Sequence, residues 1–217
     1  MFTPLMKISL TELCKQPVMF DANILMVGIE DRSSNLNCSF KNMKELYMIP
    51  LVKSFENIII HETVYNELDE ECRKFIETCK NVTIVTEDGL YAVDPQYTTI
   101  FNNIADHDRV QYTRGSSKDK GEVYSLAYAV FHKINCFSSK EIMVDDIARD
   151  LKDLQNIQII TFDVIVLLAF IFYGSLNDTS HNQALKSIYK RYCEDVIKRH
   201  KLPSTLKDYV IACEDYI

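Results

Sequence analysis

The chain has 217 residues, with 24 Lys+Arg against 31 Asp+Glu, a formal net charge of -7 and 47% hydrophobic residues, which suits one ordinary folded domain with at most an appendage. Five Gly and five Pro leave little room for disorder, and the acidic balance argues against retention on nucleic acid by global charge while leaving a local basic patch open. Seven scattered cysteines without a CxxC pair argue against structural zinc and for a reduced, cytoplasmic protein; no secretory signal and no apolar run of the ~20 residues that a membrane span needs is visible.

In chain order, short β-branched runs at residues 18–20, 58–60, 82–85, 142–144 and 157–160 read as strands. Amphipathic stretches separate them, the pattern of a parallel sheet covered on both faces. The expected class is α/β, a three-layer α/β/α sandwich with a central parallel sheet. Residues 62–80 predict a helix with Val64, Leu68, Phe75, Ile76 and Cys79 on one face, and residues 121–133 another with Val123, Leu126, Ala127, Val130 and Phe131 inward. The 87–118 segment has weak periodicity and is expected to be a helix followed by a loop. Residues 164–173 read as a helix buried on all sides. Beyond them a stripe of Leu185, Ile188, Tyr189, Tyr192 and Val196 predicts a helix with Glu194/Lys198 and Asp195/Arg199 pairs. Pro203 ends it, and a final helix is expected over 204–216 with Ser204 as N-cap. The expected organisation is a domain over 1–180 and a C-terminal helical hairpin over 181–217.

The carboxylates carry the chemistry. Asp21 follows the first strand directly, and Asp145 and Asp146 follow the run at 142–144, so two strands are expected to deliver acids to the carboxyl edge, where α/β sites are built. Glu67 and Glu122 lie in helices expected to flank that edge. Any one of these acids is readily explained as a cap or a solvated residue; four converging would repel one another unless a cation joined them. An all-oxygen donor set suits Mg²⁺ or Mn²⁺, and two such ions would support in-line hydrolysis of a phosphodiester.

These residues resemble the PIN-domain nucleases. The matching pieces occur in order: Phe20-Asp-Ala-Asn-Ile-Leu25, Val64-Tyr-Asn-Glu-Leu68, Lys120-Gly-Glu-Val-Tyr-Ser-Leu-Ala-Tyr-Ala129 and Val144-Asp-Asp-Ile-Ala-Arg149. The last two are most similar to small prokaryotic PIN proteins with a Gly-Glu helix start and a paired-Asp strand end. The resemblance covers roughly residues 15–175, and implies that Asp21, Glu67, Glu122 and Asp146 are the catalytic, metal-binding acids, with Asp145 a partner or substitute for Asp146. It further implies that Asn23 supports the first acid, that Asp163 is a supporting site residue or a helix cap, and that the protein is a metal-dependent endoribonuclease acting on RNA. A toxin role with an antitoxin partner, and a homodimer, are also implied. Val144 stands where Thr or Ser is common, and the 87–118 insert is atypical.

Two rival readings remain. A phosphatase of the haloacid-dehalogenase type is suggested by Asp21-x-Asn23 and Asp146-x-x-x-Asp150, but an Asn23 amide cannot act as the general acid. A catalytically inactive PIN-like binding module would have no reason to keep a set of buried acids. The basic residues gather late in the chain, and Lys190, Arg191 and Lys198 are the expected phosphate contacts.

Overall fold

The computed structural model describes residues 9–26, 43–87, 89–113, 118–171 and 179–213. The chain forms two compact units, one from residues 17–26 and 57–160, the other from the described parts of 1–16, 27–56 and 161–217.

The first unit holds a central sheet of five parallel strands in the order β3-β2-β1-β4-β5, flanked by helices. The strands are β1 (Pro17–Phe20), β2 (Asn57–His61), β3 (Val82–Val85), β4 (Cys136–Ser139) and β5 (Gln158–Thr161). Val18 of β1 is in register with Ile58 on one side and Cys136 on the other, and Ile58 with Val82. The α/β class with a parallel sheet expected from the sequence is therefore the one observed, and four of the five strands lie where the β-branched runs placed them.

The fourth does not. Residues 142–144 open the helix Ile142–Asp150, and the strand is Cys-Phe-Ser-Ser at 136–139, buried throughout. Val144 and Ile147 are buried three residues apart, a helical spacing, while Arg149 reaches back to Asp145 on the same helix. The true strand escapes a propensity reading because half of it is serine. Its hydroxyls are satisfied inside the sheet: Ser138 Oγ donates to the Ile160 carbonyl at 3.1 Å, so the tertiary setting outweighs weak β-propensity.

Residues 62–80 form two helices, Glu62–Glu67 and Glu70–Glu77, because Asp69 acts as an N-cap and accepts from the Cys72 amide at 2.7 Å. The 87–118 segment contains the helix Pro95–Ala105, capped by Asp94 through the Gln96 and Tyr97 amides. It packs against the helix Lys120–Phe131. Met19, Leu126, Phe137, Val144, Ile147 and Leu154 share a core with Tyr97, Phe101 and Ile104 of that segment, each such side chain contributing ~1.5–3 kcal/mol on burial.

The second unit is helical among its described residues. Phe162–Ala169 is buried at every position, as the apolar run from Val164 to Ala169 requires, and Asp163 is buried with it. The C-terminal stripe belongs to two helices, Thr179–Tyr192 and Glu194–His200, and the last helix is Leu206–Ala212, capped by Thr205 rather than Ser204. Tyr189 donates to the Pro203 carbonyl at 2.7 Å, tying the turn that Pro203 creates to the preceding helix.

Candidate active site

The strand order fixes where a site can form. β2 and β3 extend from one side of β1, β4 and β5 from the other, so the chain reverses direction across the sheet between β1 and β4. Loops leaving adjacent strands in opposite directions open a crevice at their carboxyl ends. Asp21 and Ser139 occupy those two ends.

Asp21 is held from several sides. Its amide donates to the Ser138 carbonyl at 3.0 Å, carrying the β1–β4 ladder one residue past the strand. Oδ1 accepts from the Ala22 amide at 2.7 Å, and Oδ2 accepts from Ser139 Oγ at 2.8 Å. Ser139 Oγ in turn accepts from the Glu141 amide at 3.0 Å and from Asn23 Nδ2 at 3.3 Å, while Asn23 Oδ1 accepts from the Lys140 amide at 2.9 Å. Asn23 thus supports the first acid through Ser139. Asp21 is 1% exposed. Burial, followed by the nearby Glu122 carboxylate, holds its carboxyl well above the usual range, against the pull of Ser139 and Ala22.

Glu122 stands in the first turn of Lys120–Phe131. Burial pushes its carboxyl up to about 7, with Glu67, Asp119 and Glu141 adding repulsion. Glu67 ends the helix Glu62–Glu67, and its carboxylate lies against Gly121. A Cβ on Gly121 would meet Glu67 Oε1 at 2.9 Å and Val64 Cγ2 at 3.1 Å. Glycine before Glu122 therefore lets a second carboxylate approach the start of the helix, where its dipole favours negative charge.

Asp21, Glu67 and Glu122 thus share one electrostatic neighbourhood, contributed by β1 and two different helices. Asp145 and Asp146 do not follow a strand as expected: they lie within Ile142–Asp150, where both bond to Arg149 Nη2, at 2.5 and 3.0 Å. The carboxyl end of β4 is Ser139, and Lys140 and Glu141 follow it directly. The sequence does not single out Ser139 and Glu141, because β-branching points to a strand six residues further on; Ser-Ser after Cys-Phe is the signal that marks the observed strand.

Asp163 lies in the second unit, in the first turn of Phe162–Ala169, where Oδ2 accepts from Tyr209 at 2.7 Å. Burial raises its pKa, and the Thr161 and Tyr209 hydroxyls oppose the rise. Lys190, Arg191 and Lys198 are exposed in that unit. Lys198 pairs with Glu194 at 2.6 Å, and Arg191 lies 5.6 Å from the Tyr192 ring centroid. His61, at the end of β2, is a buried cap whose Nδ1 accepts from the Thr63 amide; burial and the charge of Lys120 lower its pKa to about 4, so it is neutral at physiological pH.

The donor chemistry of buried Asp21, half-buried Glu122 and exposed Glu67 fits a hard divalent cation, since every candidate ligand atom is a carboxylate oxygen and each charge raises the cost of the next. Among the described residues no group of three or more His, Cys, Asp or Glu side chains is arranged to hold an ion as it stands. Compared with models of known protein families and with curated proteins, the chain gives no match.

Proposed function

We propose that the chain is a divalent-metal-dependent ribonuclease of the PIN type, hydrolysing phosphodiester bonds at the carboxyl edge of β1 and β4. The observation that carries this reading is the burial of Asp21 at the strand-order reversal, in the electrostatic field of both Glu122 and Glu67. Asp21, Glu67 and Glu122 would hold Mg²⁺ or Mn²⁺. Such an ion supplies positive charge for a phosphate oxygen and acidifies a water.

The chain's own groups do the positioning. Both Asp21 oxygens already accept hydrogen bonds, one from a backbone amide and one from Ser139, so the carboxylate is oriented as a fixed ligand and poorly placed as a nucleophile. That disfavours the phospho-aspartyl route of a phosphatase, as does the engagement of Asn23 at both ends of its amide. Lys190 and Arg191 would contact RNA phosphates, Lys198 less so while Glu194 holds it. The choice of RNA as substrate and a toxin role with an antitoxin partner rest on the resemblance to PIN proteins, and a cytoplasmic location on the scattered, unpaired cysteines. Among the described residues no helix is long and apolar enough to cross a membrane.

The test is cleavage of single-stranded RNA by the purified chain with Mg²⁺ or Mn²⁺, beside Asp21→Asn, Glu122→Gln and a chelator control. The proposal expects internal cuts that require the metal and disappear in both variants. Cleavage that survives Asp21→Asn, or no cleavage under any metal, would reject it.

A further inference from the structure

His61 ends β2 and is fully buried. Its Nδ1 accepts from the Thr63 amide at 3.2 Å and lies 2.9 Å from Thr63 Oγ1. An accepting Nδ1 places the ring proton of the neutral imidazole on Nε2. Among the described residues Nε2 has no hydrogen-bond partner, and a buried donor left in that state costs ~1–3 kcal/mol. Asp, Asn, Ser or Thr would cap the helix Glu62–Glu67 without an imidazole to bury. Capping alone therefore does not account for a histidine here.

The same ring packs on a second helix. Its centroid lies 5.8 Å from that of Tyr124 and 5.7 Å from that of Tyr128, two side chains one turn apart on the same face of Lys120–Phe131. One residue thus joins the helix that carries Glu67 to the helix that carries Glu122. These helices meet tightly at Gly121, where an added methyl would reach Glu67 Oε1 at 2.9 Å and Val64 Cγ2 at 3.1 Å. Glu67 stands at the far end of a six-residue helix, ~9 Å along its axis from the cap. A tilt at the capped end therefore displaces the Glu67 carboxylate from Gly121 and Glu122.

We propose that His61 is a positioning residue for the metal site, locking Glu62–Glu67 against Lys120–Phe131 so that the Glu67 and Glu122 carboxylates stay together, an inference that rests on the reading of those acids as metal ligands. The cap fixes where the first helix begins, and the ring contact fixes how it lies on the second. An asparagine would supply the first function only, and a phenylalanine the second only.

Titration calorimetry with Mn²⁺ on the full chain at pH 7 tests this, with circular dichroism and urea unfolding of each variant beside it. His61→Asn keeps an acceptor for the Thr63 amide and loses the ring. Tyr128→Leu removes the ring contact from the other partner, at a half-buried position that keeps the test open should His61→Asn fail to fold; Tyr128→Phe retains it. The expected result is a Mn²⁺ dissociation constant raised about tenfold or more in folded His61→Asn and Tyr128→Leu, and unchanged in Tyr128→Phe. Folded His61→Asn and Tyr128→Leu chains that unfold at lower urea yet bind Mn²⁺ as wild type does would show a structural role only and overturn the proposal. Equal weakening in Tyr128→Phe and Tyr128→Leu overturns it as well. Wild type that binds no Mn²⁺ fails the metal reading and this inference with it, whereas wild type and variants that bind alike fail this inference alone.

Discussion

Replacing Glu122 by glutamine stabilises the metal-free protein at alkaline pH and hardly alters it at acid pH. Burial raises this carboxyl from 4.5 to about 7, which corresponds to about 3 kcal/mol at ~1.36 kcal/mol per pH unit. The folded value lies above the unfolded one, so the folded state holds the proton more tightly. The stability that this proton confers is fully present below pH 4.5, falls as pH rises, and is gone above about 7. Asp21, also raised, adds a loss of the same sign. Glutamine cannot ionise and keeps a similar shape. Urea unfolding with chelator present should therefore show Glu122→Gln gaining on wild type between pH 4.5 and 8 by up to about 3 kcal/mol, or roughly 6–12 °C in Tm for a chain of this size. Mg²⁺ should shrink that gain at pH 8, because a cation relieves the same repulsion in wild type. A stability difference that is flat with pH, or that favours wild type at pH 8, would refute the reasoning.

Three further outcomes follow from the geometry. Ser139→Ala removes the hydroxyl that bonds Asp21 Oδ2, so it should cost about 1–3 kcal/mol in urea unfolding and raise the Asp21 pKa further, moving the acid limb of the pH–activity profile upward; an unshifted limb would exclude the assigned role. Gly121→Ala should improve helix propensity by about 1 kcal/mol, yet its Cβ would meet Glu67 at 2.9 Å. Weaker Mn²⁺ binding without loss of fold is expected, and unchanged affinity would count against Glu67 as a ligand. Asp146→Asn breaks only one arm of a half-exposed pairing with Arg149, so stability should change by less than about 1 kcal/mol and RNA cleavage should persist; abolished cleavage would restore the fourth acid that the resemblance implied.

Most of the sheet is legible in the sequence, because β1, β2, β3 and β5 hold short apolar runs rich in β-branched residues. β4 was not, since Cys136 to Ser139 owe their strand to burial between β1 and β5 rather than to their own preference. That single shift carries the difference at the site. Asp21, Glu67 and Glu122 were legible from their places beside a strand and two helices, and they share one electrostatic neighbourhood. Asp145 and Asp146 read as strand-end residues in the sequence because Ile-Met-Val fits a strand or a helix equally well over three residues. The split at Asp69 was hidden for a related reason: helical spacing continues across it, and only the cap on Cys72 interrupts the backbone.

The central claim is that the acids at the end of β1 hold a divalent cation. Titration calorimetry with Mn²⁺ at pH 7, run in buffers of different ionisation enthalpy, tests it most directly. The account predicts binding by wild type with net release of protons, because carboxyls that burial holds above their ordinary range, Glu122 at about 7 and Asp21 also raised, must ionise before they ligate, and loss of that binding in Asp21→Asn. Equal binding by Asp21→Asn, or no binding by wild type, would contradict it.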